Sequence, residues 1–259
     1  KTFTLQYPSL LFPGESQTVA TPPPADLRIR RCVNTVNPLN WLSVGRTIRR
    51  ERPDFVLLKY WTPFMAPCFG TIARLARGNG HTKVLCQIDN VEPHERHLSD
   101  RPFNRYFLSS VDGFIYMSEQ VHRELRAYTA APALFSPHPL FENFGERVPR
   151  AEACGRLGLD PALRYVLFFG LVRDYKGLDL LLGAWALLKR RGRTEGRRLI
   201  VAGEFYTAKE PYLKQIAASG LQEEVLLHDR FIPDAGVKDY FSAADFVVQP
   251  YKTATQSGV

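Results

Sequence analysis

Arg173 and Lys176 are the side chains whose types and spacing bear most directly on chemistry. They lie in GLVRDYKG, a short turn between the apolar run Tyr165–Phe169 and the segment LDLLLGAWALLKR. Two cations fixed in one turn can hold an anion, and cations held in place beforehand can stabilise charge growing on a leaving group. A second polar stretch, CQIDNVEPHERH, follows the run Thr82–Ile88 and brings Asp89, Asn90, His94 and Glu95 close together in the chain. Spacing alone leaves two readings open for each stretch: a ligand site, or a solvated turn whose polar residues serve the backbone.

The flanking elements decide where these residues point. Tyr165–Phe169 is short and rich in aromatic and branched residues, the composition of a buried strand. LDLLLGAWALLKR is apolar nearly all round and predicts a buried helix. After a basic linker, Arg198–Ala202 reads as a second strand, closed by Gly203. Together they predict a βαβ unit, because parallel strands need such a crossover. Ligands of open α/β sheets sit outside the carboxyl ends of the strands, so Arg173 and Lys176 would face that place, beside the positive end of the next helix.

The same alternation runs along the rest of the chain. Strands are expected at Lys1–Leu5, Arg28–Val33, Asp54–Tyr60, Thr82–Ile88 and Gly113–Met117. Helices are expected at Pro38–Glu51 with Asn37 as cap, at Pro63–Arg77 with Gly78 and Gly80 as stops, and at Phe103–Ser110 and Gln120–Tyr128. Past Gly203 come helices near Tyr212–Ser219 and Val237–Ala243, and strands at Val225–His228 and Phe246–Gln249. A boundary near Asn143–Arg150 predicts two α/β domains, 1–145 and 146–259, each with a mainly parallel sheet covered on both faces.

Composition narrows the function classes. The chain has 259 residues, 45% hydrophobic and 23% charged, which is ordinary for a globular protein that can bury two cores. Its net charge is +8: residues 1–145 carry 17 basic and 12 acidic side chains, the remainder 17 and 14. That mild, even excess suits anionic small molecules or an anionic membrane surface, and no nucleic-acid-binding motif accompanies it. Cys32, Cys68, Cys86 and Cys154 form no C-x-x-C pair, which argues against a zinc site or disulfide framework and suits a reducing cytosol. No apolar run approaches a membrane span. The densest charge cluster, Lys189–Arg198, reads as a solvated face, with a peripheral membrane patch as the alternative. The chain has neither G-x-x-x-x-G-K-[ST] nor G-x-G-x-x-G nor Asp-x-Asp. A P-loop is therefore excluded within this span, a nicotinamide-dependent dehydrogenase is disfavoured, and so is a metal held by such an acidic pair.

FFGLVRDYKGLDLLL resembles the start of the C-terminal domain of family 4 glycosyltransferases, which have the GT-B architecture of two Rossmann-like domains flanking a cleft. Many members read Gly-Arg and then Lys-Gly; Gly170, Lys176 and Gly177 match in register, while Leu171 takes the arginine's place and Arg173 follows two residues later. The resemblance continues through HPLFENFG and FIPDAGVKDYFSAADFVVQPY. TLQYPSLLFPG resembles a segment that follows the first strand and glycine-rich turn in bacterial members, and PYKTATQSGV resembles the start of the donor loop. Both domains are accordingly expected to be incomplete in this span. Thr255 stands where many members have Glu, and the second Glu would fall beyond Val259.

The resemblance implies a retaining, metal-independent glycosyltransferase that moves a sugar from a nucleotide diphosphate to an acceptor hydroxyl, on a sugar or lipid-linked glycan, in bacterial polysaccharide synthesis. It would work in the cytoplasm or at the inner membrane face, without a cofactor. Arg173 and Lys176 would neutralise the departing diphosphate. Gly170, Gly177, Glu204, Phe231, Ile232, Thr255, Gln256, Ser257 and Gly258 would contact the donor. Asp89 could orient or deprotonate the acceptor hydroxyl, and His94 could hydrogen-bond donor or acceptor. Asn90 and Glu95 would line the acceptor side, although Asp89 stands where a histidine is usual. Alternatives for two of these are a solvated carboxylate at Glu204 and loop packing at Phe231–Pro233, while His138 before Pro139 reads as a structural anchor. A GT-B nucleotide-sugar epimerase and a non-catalytic nucleotide-binding module stay open as function classes.

Overall fold

A computed structural model describes residues 1–8, 26–92 and 98–253. The chain forms two compact units, Lys1–Pro139 and Leu140–Val259. Both are built from parallel strands joined through helices.

In the first unit β1 (Thr2–Leu5) pairs in parallel with β2 (Arg31–Asn34). A separate four-stranded parallel sheet runs in chain order: β3 (Phe55–Tyr60), β4 (Lys83–Ile88), β5 (Gly113–Tyr116) and β6 (Ala133–Phe135). Helix α1 (Pro38–Glu51) starts where expected, because the Asn37 carboxamide accepts from the N–H groups of Leu39 and Asn40 at 3.0 and 3.3 Å. The helix expected from Pro63 begins instead as a 3₁₀ turn, Pro63–Met65, and becomes α2 at Ala66–Arg77. Helices α3 (Asp100–Leu108) and α4 (Glu119–Arg126) complete the unit. Gly45 lets α1 approach α2, since a Cβ there would lie 2.7 Å from the Leu75 side chain. Fully buried Tyr60 donates to Asn104 Oδ1 at 2.5 Å, and Asn104 Nδ2 donates to the Val91 carbonyl at 2.7 Å. A buried polar pair thus ties α3 to the loop that leaves β4.

The second unit has the strand order β10-β7-β8-β9, all parallel. Its elements in chain order are α5 (Arg150–Leu157), β7 (Arg164–Phe169), α6 (Leu178–Arg190), β8 (Arg197–Ala202), α7 (Glu210–Ala218), β9 (Val225–His228), α8 (Asp234–Ala243) and β10 (Phe246–Val247). One apolar layer joins Phe168, Leu199 and Val201 to Leu182 and Trp185 of α6 and Ile216 of α7. The other joins Leu167, Ile200 and Ala202 to Cys154 of α5 and Tyr240 of α8. The sheet is therefore covered on both faces, as parallel sheets require. Helix α6 departs from expectation. Leu178, Leu181, Leu182 and Trp185 are buried, but Leu180, Leu187 and Leu188 are 53%, 41% and 41% exposed. It lies on one sheet face, so a run of leucines necessarily turns some of them outward.

All four cysteines are free thiols. Among the described residues no helix is long and apolar enough to cross a membrane.

Candidate functional site

The site in the second unit is built by three glycines, two at the ends of strands and one at the end of the turn between them. The chain leaves β7 through Gly170 at φ +101, while its N–H donates to the Ala202 carbonyl at 2.9 Å. A Cβ on Gly203, itself at φ +147, would lie 2.1 Å from the Gly170 carbonyl oxygen, so β7 and β8 exit with their backbones in contact. Pairing resumes once beyond the strands: Val172 N–H donates to Glu204 O at 2.8 Å, and Tyr206 N–H to Val172 O at 2.9 Å. A single 3₁₀ turn, Asp174–Lys176, follows and ends at Gly177, φ +72. A Cβ on Gly177 would lie 2.1 Å from the Pro250 carbonyl oxygen, because the segment after β10 crosses directly over it. Lys252 secures that crossing: its N–H donates to Tyr175 O at 2.8 Å, and its ammonium pairs with Asp179 at the start of α6 at 2.7 Å.

Among the described residues this geometry leaves two cations without a carboxylate partner. Asp174 lies between Arg173 and Lys176 in sequence, but its carboxylate accepts from Thr207 Oγ1 at 3.0 Å and Tyr212 Oη at 3.1 Å. Arg173 lies over the Tyr206 ring at 5.1 Å, and Lys176 Nζ is 5.7 Å from the Tyr251 ring centre. Among the described residues, neither cation has a carboxylate at ion-pair distance. Burial pushes the Lys176 ammonium below its ordinary pKa, and the neighbouring Arg173 adds to the shift. Lys176 Nζ is 3.0 Å from where a Cβ on Gly170 would sit, so a side chain at 170 would crowd the ammonium. Because β10 and β8 lie on opposite sides of β7, the order of the sheet reverses here, and such a switch point is where open α/β sheets bind ligands.

Other residues singled out in the sequence are more scattered. Glu204 follows β8 next to the turn and gives its carbonyl to Val172. Phe231 is 55% exposed, while the Ile232 side chain packs into the core, leaving its backbone as the part that can meet a ligand. Thr255, Gln256, Ser257 and Gly258 lie outside the described residues, as do His94 and Glu95. Asp89 and Asn90 follow β4 directly. Asp89 N–H extends the sheet to Tyr60 O at 2.8 Å, and its carboxylate is 3.4 Å from Lys59 Nζ. Burial raises the Asp89 pKa; Lys59 and then His138 act in the opposite sense.

Sequence reasoning passed over Tyr206, Tyr251, Asp174, Lys252 and Lys59. The tyrosines carried one usable signal: Tyr206 and Tyr251 each follow a strand within a few residues, on either side of β7. The Lys59–Asp89 pair carried none, since it joins the last turns of two strands whose register cannot be read from either alone.

Residues 164–259 match the family described as "Glycosyl transferases group 1". Over 93 residues the chain is 32% identical to a D-inositol 3-phosphate glycosyltransferase of Pseudarthrobacter chlorophenolicus, a match covering 36% of this chain and 22% of that protein. Anabaena Alr3699/HepE, solved in complex with UDP-glucose, superposes with a TM-score of 0.65 at 16% identity, covering 85% of this chain and 60% of its own. Sucrose-phosphate synthase from Thermosynechococcus elongatus superposes at 0.62 with 18% identity, covering 78% and 51%. The fold is that of GT-B glycosyltransferases. The chain spans roughly half to three-fifths of these solved relatives.

Proposed function

We propose that this chain carries the donor site of a retaining glycosyltransferase, and that the donor is a nucleotide-diphosphate sugar. The observation that carries the reading is the pair Arg173 and Lys176, half-buried at a switch point and without a carboxylate partner among the described residues. A diphosphate supplies the missing negative charge. The match of residues 164–259 and the UDP-glucose bound by the Anabaena protein support the same reading. In the reaction, the bond between the sugar's anomeric carbon and the diphosphate oxygen breaks, and a bond to the acceptor oxygen forms on the same face. The acceptor proton leaves on the diphosphate. Arg173 and Lys176 stabilise the charge that grows there, work that a metal ion performs in other transferases. Asp89 orients the acceptor hydroxyl by accepting its hydrogen bond, with His94, Asn90 and Glu95 nearby in sequence. The acceptor is a sugar or lipid-linked glycan, and the pathway is the synthesis of a bacterial polysaccharide.

The test is a panel of nucleotide sugars offered with and without hydroxyl acceptors, with binding followed by calorimetry and products by mass. Transfer that needs an acceptor, keeps the anomeric configuration and persists in EDTA is expected. Donor turnover that ignores the acceptor would indicate epimerisation or hydrolysis instead. Activity abolished by EDTA and restored by added metal would overturn the role given to the two cations.

A further inference from the structure

We propose that the last turns of α1 and the residue that ends it form a second anion site, one that takes a phosphate-class group carrying more than one negative charge. Arg46, Arg49 and Arg50 are spaced to share one face of α1, and all three are exposed. Arg52 caps the helix in the left-handed region at φ +46, its N–H donating to Ile48 O at 3.1 Å. Side chains seldom adopt that conformation, and here it turns Arg52 into the same hollow as the helical arginines. The four arginines and Asn79 line a cavity of about 470 Å³.

The surroundings make this more than a solvated helix end. Among the described residues no acidic side chain lines the cavity, and none of the four arginines has a carboxylate at ion-pair distance. Glu51 sits between Arg50 and Arg52 in sequence, yet its carboxylate is directed to Lys1 at 2.7 Å and Arg30 at 3.4 Å. Asn79 is fixed: Nδ2 donates to Arg49 O and Thr82 Oγ1, and Oδ1 accepts from the N–H groups of His81 and Thr82. The helix dipole favours cations in the last turn and accounts for Arg49 and Arg50. It does not account for four arginines lining one hollow with the adjacent acid turned away. A bound anion relieves their mutual repulsion, and the planar guanidinium fork matches phosphate oxygens two at a time.

The place also separates this site from the proposed chemistry. Asn79 and Arg52 precede β4 and β3, so the arginines gather at the amino ends of those strands. Asp89 follows the carboxyl end of β4, roughly 20 Å away for a strand of this length. A phosphate held among the arginines is therefore not at Asp89, where the acceptor is proposed to bind. Two sources of that chemistry exist: a soluble diphosphate or phosphomonoester, and the headgroup of an anionic lipid.

The experiment compares the protein with R49A/R50A, so that anion binding elsewhere cancels in the difference. One arm titrates inorganic pyrophosphate by calorimetry. The other sediments the protein with vesicles of phosphatidylcholine and phosphatidylglycerol in equal parts. In at least one arm, R49A/R50A should bind about tenfold or more weakly than the unmutated protein. R49K/R50K should recover only part of the loss, because lysine keeps charge but not the fork. Loss confined to pyrophosphate assigns a soluble ligand, and loss confined to vesicles assigns a lipid headgroup. Equal binding by the protein and R49A/R50A in both arms, or no binding by either, overturns the proposal. Should R49A/R50A fail to fold, R46A/R52A reads the same difference.

Discussion

Asp174 and Asp89 each follow a parallel strand at its carboxyl end, and the two units treat their carboxylates in opposite ways. Asp174 lies next to Arg173 and near Lys176, yet two neutral hydroxyls, of Thr207 and Tyr212, both donate to its Oδ1. Among the described residues the cations are left without a carboxylate. Asp89 instead lies 3.4 Å from Lys59, with its side chain 16% exposed. There the cation serves the acid: burial works against the charged carboxylate, while Lys59 and His138 favour it. One strand end leaves its cations without a carboxylate among the described residues, and the other pairs a cation with a carboxylate where water is scarce. The same residue type at equivalent fold positions therefore says little about role until its partners are known.

The largest effect that can break this comparison is at Lys176. Removing a preorganised cation from a developing charge costs about 2.7–4 kcal/mol in the transition state, so Lys176→Ala should lower turnover on the order of 10²–10³-fold. Nucleotide affinity should fall less, since the contact strengthens as charge develops. Arg173→Ala should act in the same direction, and Arg173→Lys should keep only part of the effect. Steady-state rates beside calorimetric affinities separate the two quantities. Near-normal turnover in Lys176→Ala would mean the unopposed charge serves something other than the leaving group.

A smaller effect sharpens the other half of the comparison. Asp89→Asn should lower turnover by roughly 10²-fold while donor affinity stays close to normal, because its proposed work is on the acceptor. Lys59→Met is the more telling variant. Lys59 lowers the Asp89 pKa, so its removal should let that pKa rise further and move the acid limb of the pH–rate profile to higher pH. An unmoved acid limb in Lys59→Met would detach Asp89 from the reaction.

Much of this was legible in the residues. Gly170, Lys176 and Gly177 could be placed because apolar runs end abruptly at glycine, and a short βα turn holds its side chains near the end of the strand it leaves. Asn37 and Pro38 located the start of α1 through a cap whose chemistry is local. What escaped depends on contacts distant in sequence. Strand β6 is only Ala133–Phe135, too short for any periodicity to declare it. The exposed leucines of α6 could not be told from the buried ones, because a run that is apolar all round fits any face. The reason for glycine at 177 is the Pro250 carbonyl, far along the chain, and the orientation of Asp174 depends on Thr207 and Tyr212. Local rules found the turn; only the packed strands disclosed which charges in it lack a carboxylate.

The smallest effect concerns stability and comes from the same unopposed ammonium. Lys176 has its pKa lowered by burial, with Arg173 adding repulsion, so the folded protein holds this proton less tightly than the unfolded chain does. Between the lowered pKa and the ordinary lysine value, the unfolded state binds more protons, and stability must rise with pH in that window. Below the window the charged side chain is a standing cost to the fold. Lys176→Met keeps the length of the side chain and removes the charge, so the ligand-free variant should melt a few degrees higher than the unmutated protein at neutral pH. The gap should close as pH is raised into the lysine range, where the unmutated side chain also becomes neutral. Saturating nucleotide should reverse the order, since the unmutated protein then gains a partner for its charge and the variant does not. Melting curves of both proteins across pH, with and without UDP, make the comparison. A ligand-free variant that melts lower at neutral pH would show that the ammonium already has its counter-charge within the fold, and the reading of this turn as an anion site would fall.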